Sequence, residues 1–346
     1  MGQGPRYRVV QWATGNIGTS ALRSVIEHPD LDLAGVYVYA DDKAGCDAGA
    51  LCNVEPTGVV ATRDVDDIVG LGADCVLYMP SAPDVDDVCK LLAAGTNIVT
   101  TRGEFARAAS MHPDVRDRVE AACERGGSSI HSTGSSPGFI SEAVPFALMS
   151  IQRRLDRLTI EEFADLSSRR SPELLFGVMG FGADPSDFDQ ARWAYGAAAF
   201  GPSLGVVADA LGLPLDSVEG SGAVASAVRP VDIAAGRLEA GTVAAQRMIV
   251  TGLRHGAPLL RFVATWYCTA ELDPAWTVRD TGWRVMSEGD VPMEVDIRFP
   301  VPEEHYAEVS PRFTANRAVN AVAYVCAAAP GIRTTFDLPQ FIPTMG

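Results

Sequence analysis

Along the first 150 positions, apolar residues fall in short runs separated by longer amphipathic stretches. "RVVQWA", "LAGVYVY", "CVLYMP", "NIVTT" and "SSIHST" read as strands. "GTSALRSVIEHPD", "PDVDDVCKLLAAG" and "HPDVRDRVEAACERG" read as the helices between them. Gly95 after "CKLLAA" and Gly126-Gly127 after "VEAACER" supply helix stops. Strands alternating with helices of this length predict a Rossmann-type, doubly wound α/β domain whose parallel sheet is covered on both faces.

The rest of the chain is patterned differently. "RLTIEEFADL" and "MEVDIRFPV" alternate apolar with polar residues, as half-exposed strands do. "TVAAQRMIVTGLRHGAPLLRFVATWYCT" reads as a hairpin turning at Arg-His-Gly-Ala-Pro, and "WAYGAAAFGPSLGVVADALG" as a helix. The last helix, "ANRAVNAVAYVCAAAPG", meets a Pro-Gly stop. The expected organisation is a dinucleotide-binding domain over 1–150 and an α+β substrate and dimerisation domain over 151–311. Its sheet is expected to be open and mostly antiparallel, and the helix at about 312–330 is free to pack back on the first domain. An open sheet with an apolar face needs a cover, and a two-fold homodimer is the usual one.

Bulk properties narrow the function. The 346 residues hold 47% hydrophobic and 21% charged positions, a globular composition too long for one ordinary core. A net charge of −16 disfavours a nucleic-acid partner. Without an apolar leader or a run of eighteen apolar residues, the expected location is cytoplasmic, with no membrane partner. The seven cysteines form no Cys-x-x-Cys pair and the five histidines no His-x-x-x-His pair, so no metal site is expected. Only two lysines occur, Lys43 and Lys90, which excludes a lysine general acid in the second half.

The first strand runs into Ala13-Thr14-Gly15-Asn16-Ile17-Gly18 and then into a helix. A dinucleotide turn needs small residues for a sharp bend, for backbone approach to a pyrophosphate and for close helix–strand packing. Gly15 and Gly18 meet the last two needs, and Ala13 in the first glycine's place is tolerable if its φ stays negative. Amides opening the helix would hold the phosphates. The coenzyme is NADP(H) or NAD(H). After the second strand comes Tyr39-Ala40-Asp41-Asp42-Lys43, where Asp41 suits ribose hydroxyls while Lys43 and Arg63 suit a 2′-phosphate. The balance leans to NADP or dual use.

Six landmarks follow in order: "WATGNIG", "YADDKAGCDAGAL", "YMPSAP", "NIVTTRGEF", "STGSSPGFISEAVP" and "RAVNAVAYVCAAAPGI". This run resembles the family of 2,4-diaminopentanoate dehydrogenase and NAD(P)H-dependent amine dehydrogenases, whose N-terminal domain is dihydrodipicolinate-reductase-like. The resemblance covers nearly the whole chain. It implies reduction of an imine formed from a carbonyl compound and ammonia, or the reverse oxidative deamination. It puts the catalytic carboxylate at Glu104, after the strand "NIVTT", and a loop closing over nicotinamide and substrate at Pro137, Gly138 and Phe139. Many relatives carry Asn where this chain has Ser136, a departure that bears on nicotinamide hydrogen bonding. True dihydrodipicolinate reductase is not matched, because neither a His-His pair nor a Lys-x-Asp-x-Pro-Ser-Gly run occurs.

Further coenzyme contacts are expected from Pro80 and Ser81, from Thr101 and Arg102, from Gly134, and from Asn320 toward the carboxamide. Phe139, Phe163 and Phe176 are the candidate substrate pocket. Small-molecule carbonyl or amine compounds and ammonia are the expected partners. Two competing readings stand beside this one. An amino-acid dehydrogenase of the homoserine or diaminopimelate class would carry a pocket arginine for a carboxylate, Arg169 or Arg170. A redox-inactive NADP-sensing protein would bind coenzyme without turnover.

Overall fold

The computed structural model describes residues 6–344. The chain divides into two units, Met1–Phe139 with Ser310–Gly346, and Ile140–Val309.

The first unit opens with β1 (Tyr7–Trp12), α1 (Asn16–Glu27), β2 (Leu31–Tyr37), α2 (Ala48–Cys52), β3 (Ala61–Thr62) and α3 (Val65–Gly70). It continues through β4 (Cys75–Tyr78), α4 (Val85–Ala93), β5 (Asn97–Thr100), α5 (Pro113–Gly126) and β6 (Ser129–Ser132). The second unit holds α6 (Val144–Met149), β7 (Leu155–Asp165), α7 (Gln190–Ala210), β8 (Ser217–Ala227), β9 (Val231–Ile233) and β10 (Gly236–Leu238). After these come β11 (Val243–Arg254), β12 (Ala257–Tyr267), β13 (Leu272–Asp273), β14 (Gly282–Gly289) and β15 (Met293–Arg298). The chain then runs through α8 (Glu303–Cys326) to β16 (Gly331–Arg333).

The first sheet is parallel throughout, in the order β3-β2-β1-β4-β5-β6-β16. The order reverses between β1 and β4, the switch point where doubly wound sheets bind ligands beyond their carboxyl ends. The strands are continuous apolar runs because both faces are covered. Val10, Val76, Tyr78 and Ile98 pack toward α4 and α5, while Val9, Leu77 and Val99 pack toward α1 and the Ala-rich stripe of α8. Trp12, fully buried at the end of β1, stacks on Tyr37 with ring centroids 3.8 Å apart.

The second sheet has the order β13-β8-β11-β12-β7-β14-β15 and is antiparallel except for β12 beside β7. The α/β plus α+β fold class is as the sequence predicts. The hairpin of β11 and β12 turns on two residues, His255 and Gly256, both with positive φ, and not on the five-residue segment expected.

Two boundaries differ from the sequence reading. The first unit ends at Phe139 instead of 150, because β6 is followed by an irregular turn and α6 already packs on β7. The last helix starts at Glu303 instead of about 312, and α8 carries Pro311 inside it.

His131 on β6 is fully buried, and its Nδ1 lies 2.8 Å from the Arg333 carbonyl oxygen. Burial pushes its pKa down to about 4. The unfolded chain therefore takes up a proton below pH ~6.5 that the folded chain refuses until about pH 4. Stability is full above pH ~6.5 and falls as the pH drops to about 4, by up to ~3 kcal/mol in total. Chemical denaturation at pH 7 and pH 5 checks this, and His131→Gln should flatten that part of the profile whatever its absolute stability.

Candidate active site

The turn after β1 is built for a close approach. A Cβ added at Gly18 would sit 2.1 Å from the Ala13 carbonyl oxygen, so only glycine lets α1 lie this near β1. At Gly15 an added Cβ would meet nothing within 4 Å. Ala13 corrects the sequence reading: its φ is +70°, not negative. The bend that a first glycine usually makes is made here by a left-handed alanine, at a cost of about 1–2 kcal/mol. Ala13→Gly should therefore raise unfolding free energy by roughly 0.5 kcal/mol, part of the relief being lost to glycine's greater freedom in the unfolded chain. Urea titration measures it.

The start of α1 is open to an anion. Gly15 offers no side-chain cap and the first turn carries no acid. By contrast Asp47, Asp64 and Asp84 cap α2, α3 and α4 with their own carboxylates. Unmet amides and the helix dipole suit a phosphate there. Lys43 Nζ donates to the Thr14 carbonyl oxygen (2.8 Å) and to Thr14 Oγ1 (3.2 Å), which sets its charge beside this turn. Arg63 pairs with the exposed Asp41. Tyr39, 48% exposed, accepts a hydrogen bond from Trp12 Nε1 at 3.0 Å.

Beyond the carboxyl ends of β4, β5 and β6, several of the singled-out residues form one bonded set. Thr100 Oγ1 donates to the Tyr78 carbonyl oxygen at 2.7 Å and accepts from the Arg102 amide at 3.1 Å. Ser132 Oγ donates to the Arg102 carbonyl oxygen at 2.9 Å. The Arg102 guanidinium then spans the Ser81 carbonyl oxygen (2.8 Å) and Glu104 Oε1 (2.5 Å). Glu104 lies on a single helical turn, Gly103–Phe105, anchored by the buried Phe105. Its side chain remains half exposed. Pro80 is buried beside Ser81, and Thr101 is half-buried with no side-chain hydrogen bond among the described residues.

The segment after β6 carries unmet polar atoms. The hydroxyl oxygens of Thr133 and Ser136 are buried with no partner among the described residues. Gly134 packs against Thr314, whose hydroxyl is 2.7 Å from Ser135 Oγ. Pro137 follows a cis bond from Ser136. Asn320 on α8 is half-buried and makes no side-chain hydrogen bond among the described residues.

Uncapped amides, the open space over Gly15 and the orphaned hydroxyls of Thr133 and Ser136 fit a bound dinucleotide. The three phenylalanines are not gathered by any one element. Phe139 closes the first unit with Arg317 5.8 Å from its ring centroid. Phe163 faces the Arg279 guanidinium (5.3 Å) and lines a cleft of about 280 Å³ with Asp280, Asp296 and Arg298, a charged setting where an apolar one was expected. Phe176 packs in a separate apolar cluster with Leu175 and Leu238. The sequence reading missed Glu162, which accepts from Trp266 Nε1 (2.9 Å) and Trp283 Nε1 (3.1 Å). Strand alternation in "TIEEFAD" leaves open which of the two glutamates is bonded this way.

The chain is similar to known proteins over its whole length. It is 28% identical over 344 residues to an amine dehydrogenase of Streptomyces virginiae, covering 95% of each chain. Its fold matches an amine dehydrogenase structure from Mycobacterium smegmatis with a TM-score of 0.79, at 18% identity over 99% of this chain and 98% of that one. A weaker fold match is GenD2 from gentamicin A biosynthesis, solved in complex with NAD, with a TM-score of 0.56 at 14% identity over 97% and 91% of the two chains. The model of the 2,4-diaminopentanoate dehydrogenase C-terminal domain matches residues 142–346, more than half of the sequence. The chain therefore belongs to the 2,4-diaminopentanoate dehydrogenase family, whose members are dinucleotide-dependent oxidoreductases acting on amines.

Proposed function

We propose that the protein is an NAD(P)H-dependent amine dehydrogenase that reductively aminates small ketones or aldehydes with ammonia, and deaminates the amines in reverse. The observation that carries this reading is the placement of Glu104 just past the carboxyl end of β5, half exposed and oriented by Arg102. Ligands of doubly wound sheets bind on that side. The bound coenzyme supplies or accepts the hydride. The protein's part is position and protons. Glu104 takes a proton from ammonium as nitrogen attacks the carbonyl, returns one to the departing water, and offsets the positive charge of the iminium. Arg102 fixes the carboxylate oxygen while sharing its charge with the Ser81 carbonyl.

Thr14 to Gly18 would hold the pyrophosphate, with Lys43 beside it. Tyr39 would flank the adenosine end; Pro80, Ser81, Thr101, Gly134, Ser136, Pro137 and Asn320 would line the nicotinamide end, and Phe139 the substrate. NADP(H) is favoured with NAD(H) accepted, because Asp41 offers a ribose acceptor and its partner Arg63 a cation for a 2′-phosphate. The protein is read as a cytoplasmic homodimer. Supporting the dimer, Gln246, Met248 and Val250 of β11 are buried on one face, while Arg247, Ile249 and Thr251 on the other are only half-buried. Among the described residues no helix is long and apolar enough to cross a membrane.

The test is coenzyme absorbance with NADPH or NADH, ammonium and a panel of ketones, aldehydes and oxo acids. Oxidation that requires both ammonium and a carbonyl compound supports the reading. Coenzyme binding with no such turnover overturns it in favour of a sensor.

A further inference from the structure

A buried glutamine interrupts the apolar run of β1. Gln11 stands between Val10 and Trp12 inside the parallel sheet and is 0% exposed. Its Oε1 has no hydrogen-bond partner among the described residues. An unmet acceptor withdrawn from water is costly, and an apolar side chain of like size would not carry that cost. The stability of the sheet alone therefore does not account for a glutamine here.

The nitrogen of the same carboxamide is engaged with the turn that follows β1. Nε2 donates to the Ala13 carbonyl oxygen at 2.9 Å and, more weakly, to the Trp12 carbonyl oxygen at 3.3 Å. It would lie 3.0 Å from a Cβ at Gly18, so the carboxamide is wedged between the turn and the start of α1. Ala13 holds its φ of +70° while its amide donates to the Tyr37 carbonyl oxygen at 2.9 Å. Left to itself an alanine abandons that region, which glycine enters freely. The peptide joining Ala13 to Thr14 is trans, so its N–H points opposite to its C=O. With the Ala13 carbonyl drawn toward Gln11, the Thr14 amide is turned the other way. Thr14 is only 6% exposed, and that amide makes no hydrogen bond among the described residues. The turn thus offers one more unmet donor beside the uncapped start of α1.

We propose that Gln11 is a positioning residue for the coenzyme: by bonding the Ala13 carbonyl it keeps the alanine left-handed and aims the Thr14 amide at the pyrophosphate. Gln11 and Ala13 together do what the first glycine of a dinucleotide turn does alone. This rests on the reading that the turn after β1 holds the pyrophosphate. Gln11 acts through the turn and not by touching the coenzyme.

The experiment is a double-mutant cycle. Gln11→Met keeps the length of the side chain but removes the donor, and Ala13→Gly lets the turn stay left-handed without help. Dissociation constants for NADPH and NADH are read by fluorescence titration of wild type, both single variants and the double variant. Loss of a charge-assisted hydrogen bond to phosphate weakens binding roughly ten- to hundred-fold. Gln11→Met is expected to weaken the preferred coenzyme by about ten-fold or more in the native background, and by less than about three-fold in the Ala13→Gly background. Loss of packing alone would act equally in the two backgrounds. Equal losses therefore overturn the proposal, as does a loss below about three-fold in the native one. If Gln11→Met does not fold in the native background, the double variant decides. Coenzyme binding within about three-fold of Ala13→Gly upholds the proposal, and a double variant that fails to fold or to bind overturns it. A wild-type protein that binds neither coenzyme removes the pyrophosphate reading and the role of Gln11 with it. A wild-type protein that binds one of them, with Gln11→Met binding it equally well, removes Gln11 alone.

Discussion

Glu104→Gln is expected to lower kcat for reductive amination about 1,000-fold while the dissociation constant for coenzyme changes less than about two-fold. A positioned acid–base group contributes roughly 10²–10⁴ in rate, and a thousand-fold loss corresponds to about 4 kcal/mol of barrier. Glutamine keeps an oxygen facing the Arg102 guanidinium, which reaches Glu104 Oε1 at 2.5 Å in the native protein, so the local turn need not rearrange. What it cannot do is accept a proton from ammonium. Steady-state rates beside a fluorescence titration of NADPH separate the two effects. Turnover within ten-fold of wild type would take the proton-transfer role from this residue.

The second large effect is a contrast between two glycines three residues apart. Gly15→Ala should leave the melting temperature within about 1 °C of wild type and weaken coenzyme binding roughly 10- to 100-fold. Its φ of −73° is open to alanine and nothing lies within 4 Å of the new methyl, so the folded protein has no reason to object. The space it fills is where the pyrophosphate would approach. Gly18→Ala should do the opposite first. Its methyl would fall 2.1 Å from the Ala13 carbonyl oxygen and 3.0 Å from Gln11 Nε2, and backbone cannot yield as a side-chain tip can. Overpacking of this kind costs about 2–3 kcal/mol, or roughly 5 °C or more in melting temperature. Differential scanning calorimetry with and without NADPH reads both variants. Matching losses of stability in the two would mean that Gly15 serves folding alone.

Why the first unit was so legible follows from its strands. Val9-Val10, Val76-Leu77 and Ile98-Val99 are buried on both sides, so uninterrupted apolar runs, separated by amphipathic helices, announce them. The second sheet hid more. β8 reads "SVEGSGAVASA", whose glycines suggest a loop. In fact a Cβ at Gly220 would strike the Trp193 carbonyl oxygen at 2.1 Å, and one at Gly222 the Trp193 ring at 2.6 Å. These glycines let α7 lie directly on the sheet, a tertiary demand that no local pattern expresses. The left-handed Ala13 escaped for a related reason, since an alanine carries no sign of the φ imposed on it. Glu104 was singled out through resemblance and Arg102 as a coenzyme contact, and what the sequence could not give was the Ser81 carbonyl that shares the Arg102 guanidinium with Glu104. Glu162 was harder still, because the indoles of Trp266 and Trp283 that bond it come from strands far from it in the chain.

The most direct measurement uses NADPH carrying deuterium at the transferable position together with nitrogen-15 ammonium, and follows the product of an accepted carbonyl compound by mass spectrometry. The account predicts one amine bearing both labels, deuterium on the carbon that also carries the heavy nitrogen. A deuterated alcohol without nitrogen, or an unreduced substrate beside bound coenzyme, would contradict it.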